Sequence, residues 1–306
     1  MYKKFRLLLI IAALPVTIMQ AQSQNDVPFI SINTQEMFDV LNKNVPDMAK
    51  GHPEYGVSKM MNDCTDKFPA TLTGFFKKEK PNNRPLSNEE VYAKCSDAVL
   101  MFGNYYQYNK EGEMYAGVGA SATALTPDGI CMTNYHVMEA LIKKDWHEIK
   151  EVNEDSLYYV GTRQGKVYPV IRILGYSRAG DIAFFQVDTR GDRLAYLPLG
   201  NPLKTGAEVS VISHPQQIFY MYTKGVVARN TNYRAKYPNT DRMEITADYA
   251  VGSSGAPILD KYGNIAGMVA STTGIYFDQE KKTSLQMVLK STVPVSVIRR
   301  VLGISK

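Results

Sequence analysis

Three short segments carry side chains that together could hydrolyse an acyl bond: Thr133-Asn134-Tyr135-His136-Val137, Gly180-Asp181-Ile182-Ala183-Phe184 and Gly252-Ser253-Ser254-Gly255-Ala256-Pro257. In chain order they supply an imidazole, a carboxylate and a hydroxyl. A serine hydroxyl is a weak nucleophile near neutral pH and needs a base beside it to take its proton during attack on a carbonyl. His136 is the candidate base and Ser254 the candidate nucleophile. The imidazole must be held in one tautomer and its developing positive charge balanced, which a carboxylate on its other nitrogen does. Asp181 is the candidate for that role. The oxyanion formed on the attacked carbonyl needs fixed donors, and the backbone N–H groups of Gly252 and Ser254 are the candidates. Glycine at 252 permits the backbone conformation that turns such an N–H inward.

Each segment also has a plainer reading. His136 could be a satisfied histidine at a helix start, Asp181 a turn residue after Gly180, and 252–255 an ordinary loop. Their order within one β-rich stretch is what favours chemistry. The four histidines appear without HExxH or paired CxxC spacing, so a dedicated metal site has no sequence support, and no organic cofactor is implied. Gly117 to Gly119 lacks the Lys-[Ser/Thr] and following helix of a phosphate loop and reads as a strand.

The elements that would position these groups are short apolar or alternating runs separated by turn residues. They read as strands at 98–105, 117–125, 130–133, 157–161, 168–176, 182–187, 208–213, 219–229, 242–247, 256–259, 265–270 and 285–289. Thr126-Pro127-Asp128-Gly129 and Asp260-Lys261-Tyr262-Gly263-Asn264 read as hairpin turns. Twelve such strands predict an all-β, antiparallel architecture of sandwich or barrel type. Pro294 opens a C-terminal helix with Val297, Ile298, Val301 and Leu302 on one face, and Gly303 stops it.

With those residues in view, the chain resembles trypsin/chymotrypsin-fold serine proteases of the bacterial HtrA (Deg)-related branch. Thr133-Asn134-x-His136-Val137, Asp181-Ile182-Ala183 and Gly252-x-Ser254-Gly255-x-Pro257 match that family in residue and order. Flanking segments agree: Pro127-Asp128-Gly129-Ile130, Leu199-Gly200-Asn201-Pro202, Gly206-Ala207-Glu208-Val209 and Gly263-Asn264-Ile265-Ala266-Gly267. The resemblance covers about residues 88 to 303. It implies two six-stranded antiparallel β-barrels, a chymotrypsin-like double barrel, with the active site between them, and protein or peptide substrates. It favours Ser254 over Ser253, because the attacking serine stands directly before Gly-x-Pro, and makes His214, before Pro215, a turn residue rather than a base. It implies a primary specificity pocket walled by Val269, Ala270 and Ser271. Asp248 stands either at the pocket floor, where it would attract Lys or Arg, or as the counterpart of a structural aspartate. The 52 residues after Ser254 are expected to complete the barrel without a PDZ domain. A protease-fold scaffold with a blocked site and an esterase with the same triad are the rival functions.

Upstream, Lys3, Lys4 and Arg6 precede an apolar run from Leu7 to Met19 and a small residue at Ala21, the pattern of a secretory signal peptide over residues 1–21. Thirteen residues are too few to cross a bilayer core of about 30 Å. The expectation is export to the periplasm or beyond, with no stable membrane insertion. Residues 22–87 read as a partly helical leader, either a propeptide removed on maturation or an arm packed on the barrel, with a helix from Thr34 to about Asn44 carrying Met37, Phe38, Leu41 and Val45 at helical spacing. Pro81, Asn82, Asn83 and Pro85 break the chain. Ser87 and Glu90 then form a capping box at the start of a protease domain over residues 88–306.

Composition sets the outer bounds. The 306 residues are 44% hydrophobic and 21% charged, enough to bury a substantial core. The formal charge of +5 falls to +2 without the three basic residues at the N-terminus, which makes no case for nucleic acid. Three cysteines cannot build a disulfide framework, and a Cys64–Cys95 bridge tying leader to domain is the single pairing suggested.

Overall fold

The computed structural model describes residues 32–50, 52–57, 80–107, 113–143, 156–234, 236–237 and 239–304. The expected signal peptide and Cys64 lie outside the described residues. Twelve strands alternate with turns in the order expected: β1 (Val99–Gln107), β2 (Met114–Ala124), β3 (Ile130–Thr133), β4 (Leu157–Gly161), β5 (Val167–Ser177) and β6 (Ile182–Val187) form the first set. The second set is β7 (Glu208–Ser213), β8 (Met221–Asn232), β9 (Asp241–Ile245), β10 (Pro257–Leu259), β11 (Ile265–Asp278) and β12 (Thr283–Pro294). Each set closes into an antiparallel barrel, in the orders β1-β2-β3-β6-β5-β4 and β10-β11-β12-β9-β8-β7.

The strands are apolar on both faces because each face has something to bury. On β6, Ala183, Phe185 and Val187 fill the first barrel while Ile182 and Phe184 join the cluster between barrels, as a period of two requires. On β7, Val209 and Val211 fill the second barrel and Ile212 turns to the shared cluster. The two expected turns form where proline and glycine stand. Leu125 N–H donates to Ile130 O at 2.8 Å across the first, and Asp260 N–H to Asn264 O at 2.9 Å across the second. Gly129 and Gly263 adopt positive φ of 94° and 76°.

Two strands are much longer than the sequence suggests. β11 and β12 were expected over 265–270 and 285–289, but they extend into a hairpin arm whose outer half is mostly exposed. The extension begins with Ser271-Thr272-Thr273-Gly274, a polar run without apolar alternation that ends in a strand-weakening glycine. Pairing with Lys290, Leu289 and Val288 across the hairpin supplies what local propensity does not.

Four helices frame the barrels among the described residues: α1 (Thr34–Ala49), α2 (Asn88–Cys95), α3 (Tyr135–Lys143) and α4 (Val295–Val301). α2 starts at the expected capping box, with Glu90 N–H on Ser87 Oγ and Ser87 N–H on the Glu90 carboxylate. α4 follows Pro294 and ends at Gly303 with φ of 65°. α1 begins at Thr34 as expected, with Asn33 as its cap, but continues through Pro46 to Ala49. The missing proline N–H is outweighed by burial of Val45 and Met48 in the shared core. Nor does this leader stand apart from the barrels. Asn44 Nδ2 donates to Gly165 O at 2.8 Å, and Asn42 Oδ1 accepts from Ala116 N–H at 3.3 Å. Tyr55 donates its hydroxyl to Asp188 at 2.7 Å, and Val57 N–H donates to Ser156 O. Farther along, Asn82 and Asn264 exchange two hydrogen bonds, and Leu86 N–H donates to Lys261 O.

Cys95 and Cys131 are free, buried thiols. Cys95 Sγ lies 3.8 Å from Gly263 O, and burial pushes its pKa up to about 12. It therefore behaves as an apolar core group.

Candidate active site

The register of the first barrel brings two of the three segments together before any side chain is considered. Thr133, the last residue of β3, pairs with Ala183 near the start of β6. His136 lies three residues beyond the end of β3 and Asp181 immediately before β6, so they meet at one end of the barrel. His136 Nδ1 sits 3.0 Å from both Asp181 oxygens, and the His136 backbone N–H donates to Asp181 Oδ1 at 3.1 Å. Asp181 takes a left-handed φ of 55° in the turn after Gly180, a conformation aspartate tolerates better than most side chains.

Ser254 comes from the second barrel, in the turn that precedes β10. Its Oγ lies 3.0 Å from His136 Nε2. Strand β2 of the first barrel holds this turn in place. Ser121 N–H donates to Ser254 O at 2.8 Å, Ser121 Oγ to Gly252 O at 3.0 Å, and Thr123 Oγ1 to Gly255 O at 2.9 Å. Gly255 is at φ of 90°, where an added Cβ would lie 2.1 Å from Ser121 O, so contact between the barrels leaves room for hydrogen alone.

Gly252 has a φ of 95°. The carbonyl before it, on Val251, accepts a 2.7 Å hydrogen bond from Gln216 N–H. Because the peptide is trans, the Gly252 N–H points away from the Gln216 loop, and Gly252 itself lines the cleft that contains His136 and Ser254. The loop that holds this carbonyl is itself constrained: Gln216, Gln217 and Tyr220 all adopt left-handed φ, and Gln217 Nε2 is tied to Val118 O at 3.0 Å.

The rival residues are differently placed. Ser253 is fully buried and accepts from Ser213 Oγ at 3.0 Å. His214 is also buried, with Tyr220 N–H donating to its Nδ1 at 3.1 Å, and burial pushes its pKa down to about 3. Asp248 is 80% exposed and pairs with Lys290 at 3.2 Å. Val269 and Ala270 are buried and Ser271 is exposed. None of these four residues is among those that line the hollow on the His136 side of Ser254.

Several positioning groups were not singled out from sequence. Asn134 Nδ2 donates to Asp181 O at 2.9 Å and to Oδ2 at 3.2 Å, which orients the carboxylate. Its place between Thr133 and His136 was a usable signal. Arg242, in the second barrel, is near enough for Asp181 to favour its charge against the cost of burial. Ser121, Thr123 and Gln216 carried no local signal, since their roles depend on which distant turn they meet. Among the described residues no cluster of His, Cys, Asp or Glu could hold a metal ion.

The family model for the trypsin-like peptidase domain matches residues 120–268, a span that holds all three segments. Over that span the chain is similar to trypsin-like peptidase domains. The chain is 29% identical over 150 residues to Protease Do-like 5, chloroplastic, of Arabidopsis thaliana, a match covering 47% of this chain and 45% of that protein. It is also 29% identical over 148 residues to the anti-sigma-I factor RsgI9 of Acetivibrio thermocellus, covering 46% of this chain and 18% of that one. The chain thus spans less than half the length of the curated relatives it matches. Among solved structures, Deg5 superposes with a TM-score of 0.52 at 20% identity, covering 70% of this chain and 90% of that one. The HtrA-type protease AlgW with a decapeptide superposes with a TM-score of 0.54 at 16% identity, covering 71% of this chain and 66% of that one. Both likenesses establish the double-barrel fold.

Proposed function

We propose that the protein is an exported serine endopeptidase that cleaves peptide bonds through an acyl-enzyme. The observation that carries this reading is the unbroken relay from Asp181 to His136 Nδ1 and from His136 Nε2 to Ser254 Oγ, each step 3.0 Å long. Ser254 Oγ attacks the substrate carbonyl as His136 takes its proton, and Asp181 steadies the imidazolium. The oxyanion is received by the N–H groups of Gly252 and Ser254, donors fixed in advance by the Gln216 and Ser121 contacts. His136 then gives its proton to the leaving nitrogen, and water, activated by the same imidazole, hydrolyses the acyl-enzyme. No metal or organic cofactor takes part in this scheme. Export follows from the basic and apolar N-terminus, and no helix among the described residues is long and apolar enough to cross a membrane.

A fluorophosphonate probe tests the nucleophile. The wild type is expected to label at Ser254 and Ser254→Ala is expected not to, whereas an unreactive mature wild type would support a scaffold. Cleavage of a peptide library separates an endopeptidase from an esterase that turns over only short esters. N-terminal sequencing of the exported protein, with a start expected near Gln22, tests processing.

A further inference from the structure

Beside Ser254 the cleft opens into a cavity of about 360 Å³. Among the described residues its walls are Phe102, Ala120, Val137, Tyr158 and Val251, and the Asn104 amide and the Tyr158 hydroxyl are the polar side-chain groups besides His136 and Ser254. Among the described residues no carboxylate, lysine or arginine lines it. Phe102 and Tyr158 stand 5.7 Å apart ring to ring, and Phe102 is locked edge-on against Phe185 at 5.5 Å in the first barrel's core. Burial also raises the pKa of the Tyr158 phenol, so that wall stays uncharged. A preformed hollow walled by aromatic and aliphatic side chains, with a few uncharged hydrogen-bonding groups, suits a large uncharged side chain.

Its position says which part of a substrate enters. Apart from the Val251–Ser254 turn, every lining residue comes from the first barrel or from α3, the His136 side of the cleft. Strand β11, expected to wall the acyl side through Val269, Ala270 and Ser271, contributes nothing. The leaving nitrogen must face His136 Nε2 to receive its proton. The chain beyond that nitrogen therefore runs along the first barrel. We infer that this cavity is a specificity pocket for the leaving-group side of the substrate, taking a large apolar or aromatic side chain within the first two residues after the scissile bond. The inference rests on Ser254 being the nucleophile, and it adds a point of selection after the cut.

The test uses peptides identical up to the scissile bond and varied at the two following positions, with cleavage sites read by mass spectrometry. Phenylalanine or leucine is expected to raise kcat/KM about ten-fold or more over glycine or aspartate, the order of selectivity one well-filled apolar pocket provides. Gly119 supplies the matching variant: it lines the cavity, and a Cβ added there meets no heavy atom within 4 Å. Gly119→Leu should narrow the pocket and cut the phenylalanine-to-glycine ratio about five-fold or more. An unchanged ratio in that variant overturns the proposal, as does a wild type that labels and cleaves without discrimination after the cut. A wild type that fails to label with fluorophosphonate removes the nucleophile, and the pocket assignment falls with it.

Discussion

Shortening Leu41 to alanine asks whether helix α1 belongs to the cooperative core of the protease fold. Leu41 is fully buried. Its Cδ2 and the Met101 methyl cover Gly161 so closely that a Cβ there would lie 3.0 Å from each. The substitution removes three carbons, about 2.4 kcal/mol of transfer free energy at ~0.8 kcal/mol per carbon. A cavity is left as well, because β1 and β4 are held in a closed barrel and cannot collapse onto it. The total is about 3 to 4 kcal/mol, within the range for buried leucine truncations. At roughly 2–4 °C per kcal/mol for a chain of this size, Tm should fall by about 6–16 °C. Calorimetry in a Ser254→Ala background, which removes self-digestion, reads this directly. Lys43→Ala, on the exposed face of the same helix, is the control and should stay within ~0.5 kcal/mol of the parent. A Leu41→Ala protein that melts within about 2 °C of the parent, or a separate early transition for the helix, would refute the reasoning. If the shift is found, α1 is a strap of the folded domain, and cleavage near Ser87 would leave its site in the shared core uncovered.

Gly252→Ala should lower kcat by about 100-fold or more, since its Cβ would meet His214 O at 2.5 Å and turn the oxyanion N–H away; steady-state turnover reads this, and wild-type rates would contradict it. Asp248→Asn should leave the preference for or against Lys and Arg before the cut unchanged in a peptide library, because its carboxylate is exposed and already paired with Lys290, and a lost basic preference would contradict that. Acidification should destabilise the fold through His214. The unfolded chain protonates this imidazole below about pH 6.5 while the folded protein excludes the proton down to about pH 3, so stability falls across that window by up to ~1.4 kcal/mol per pH unit. Melting between pH 7 and pH 5 should show the slope, and His214→Asn should flatten it; equal slopes would contradict the assignment.

Local signals were enough for the strands, the two glycine-marked turns and the capping box at Ser87, and they singled out the three segments around His136, Asp181 and Ser254. Each depends on alternation, a fixed φ or a residue type that a neighbouring position can reveal. The hairpin arm of β11 and β12 was underestimated because its Ser-Thr-Gly run becomes a strand only through its partner. The extent of α1 was underestimated too, because Pro46 is tolerated only where Val45 and Met48 find a core. Pro81 and Pro85 mark a boundary but do not say whether the leader packs on the barrels, because its contacts, Asn82 with Asn264 and Tyr55 with Asp188, join residues more than a hundred positions apart.

The chain on its own determined which chemistry is available, because residue type and order are local properties, and it determined the all-β class, because the period of apolar residues is local as well. Only the tertiary structure decided the direction of the Gly252 N–H, the burial of Ser253 and His214, the exposure of Asp248 and the hollow under Phe102 and Tyr158. Those depend on closure of two barrels and contact between them, where groups remote in sequence take up or leave open the same few ångströms of space.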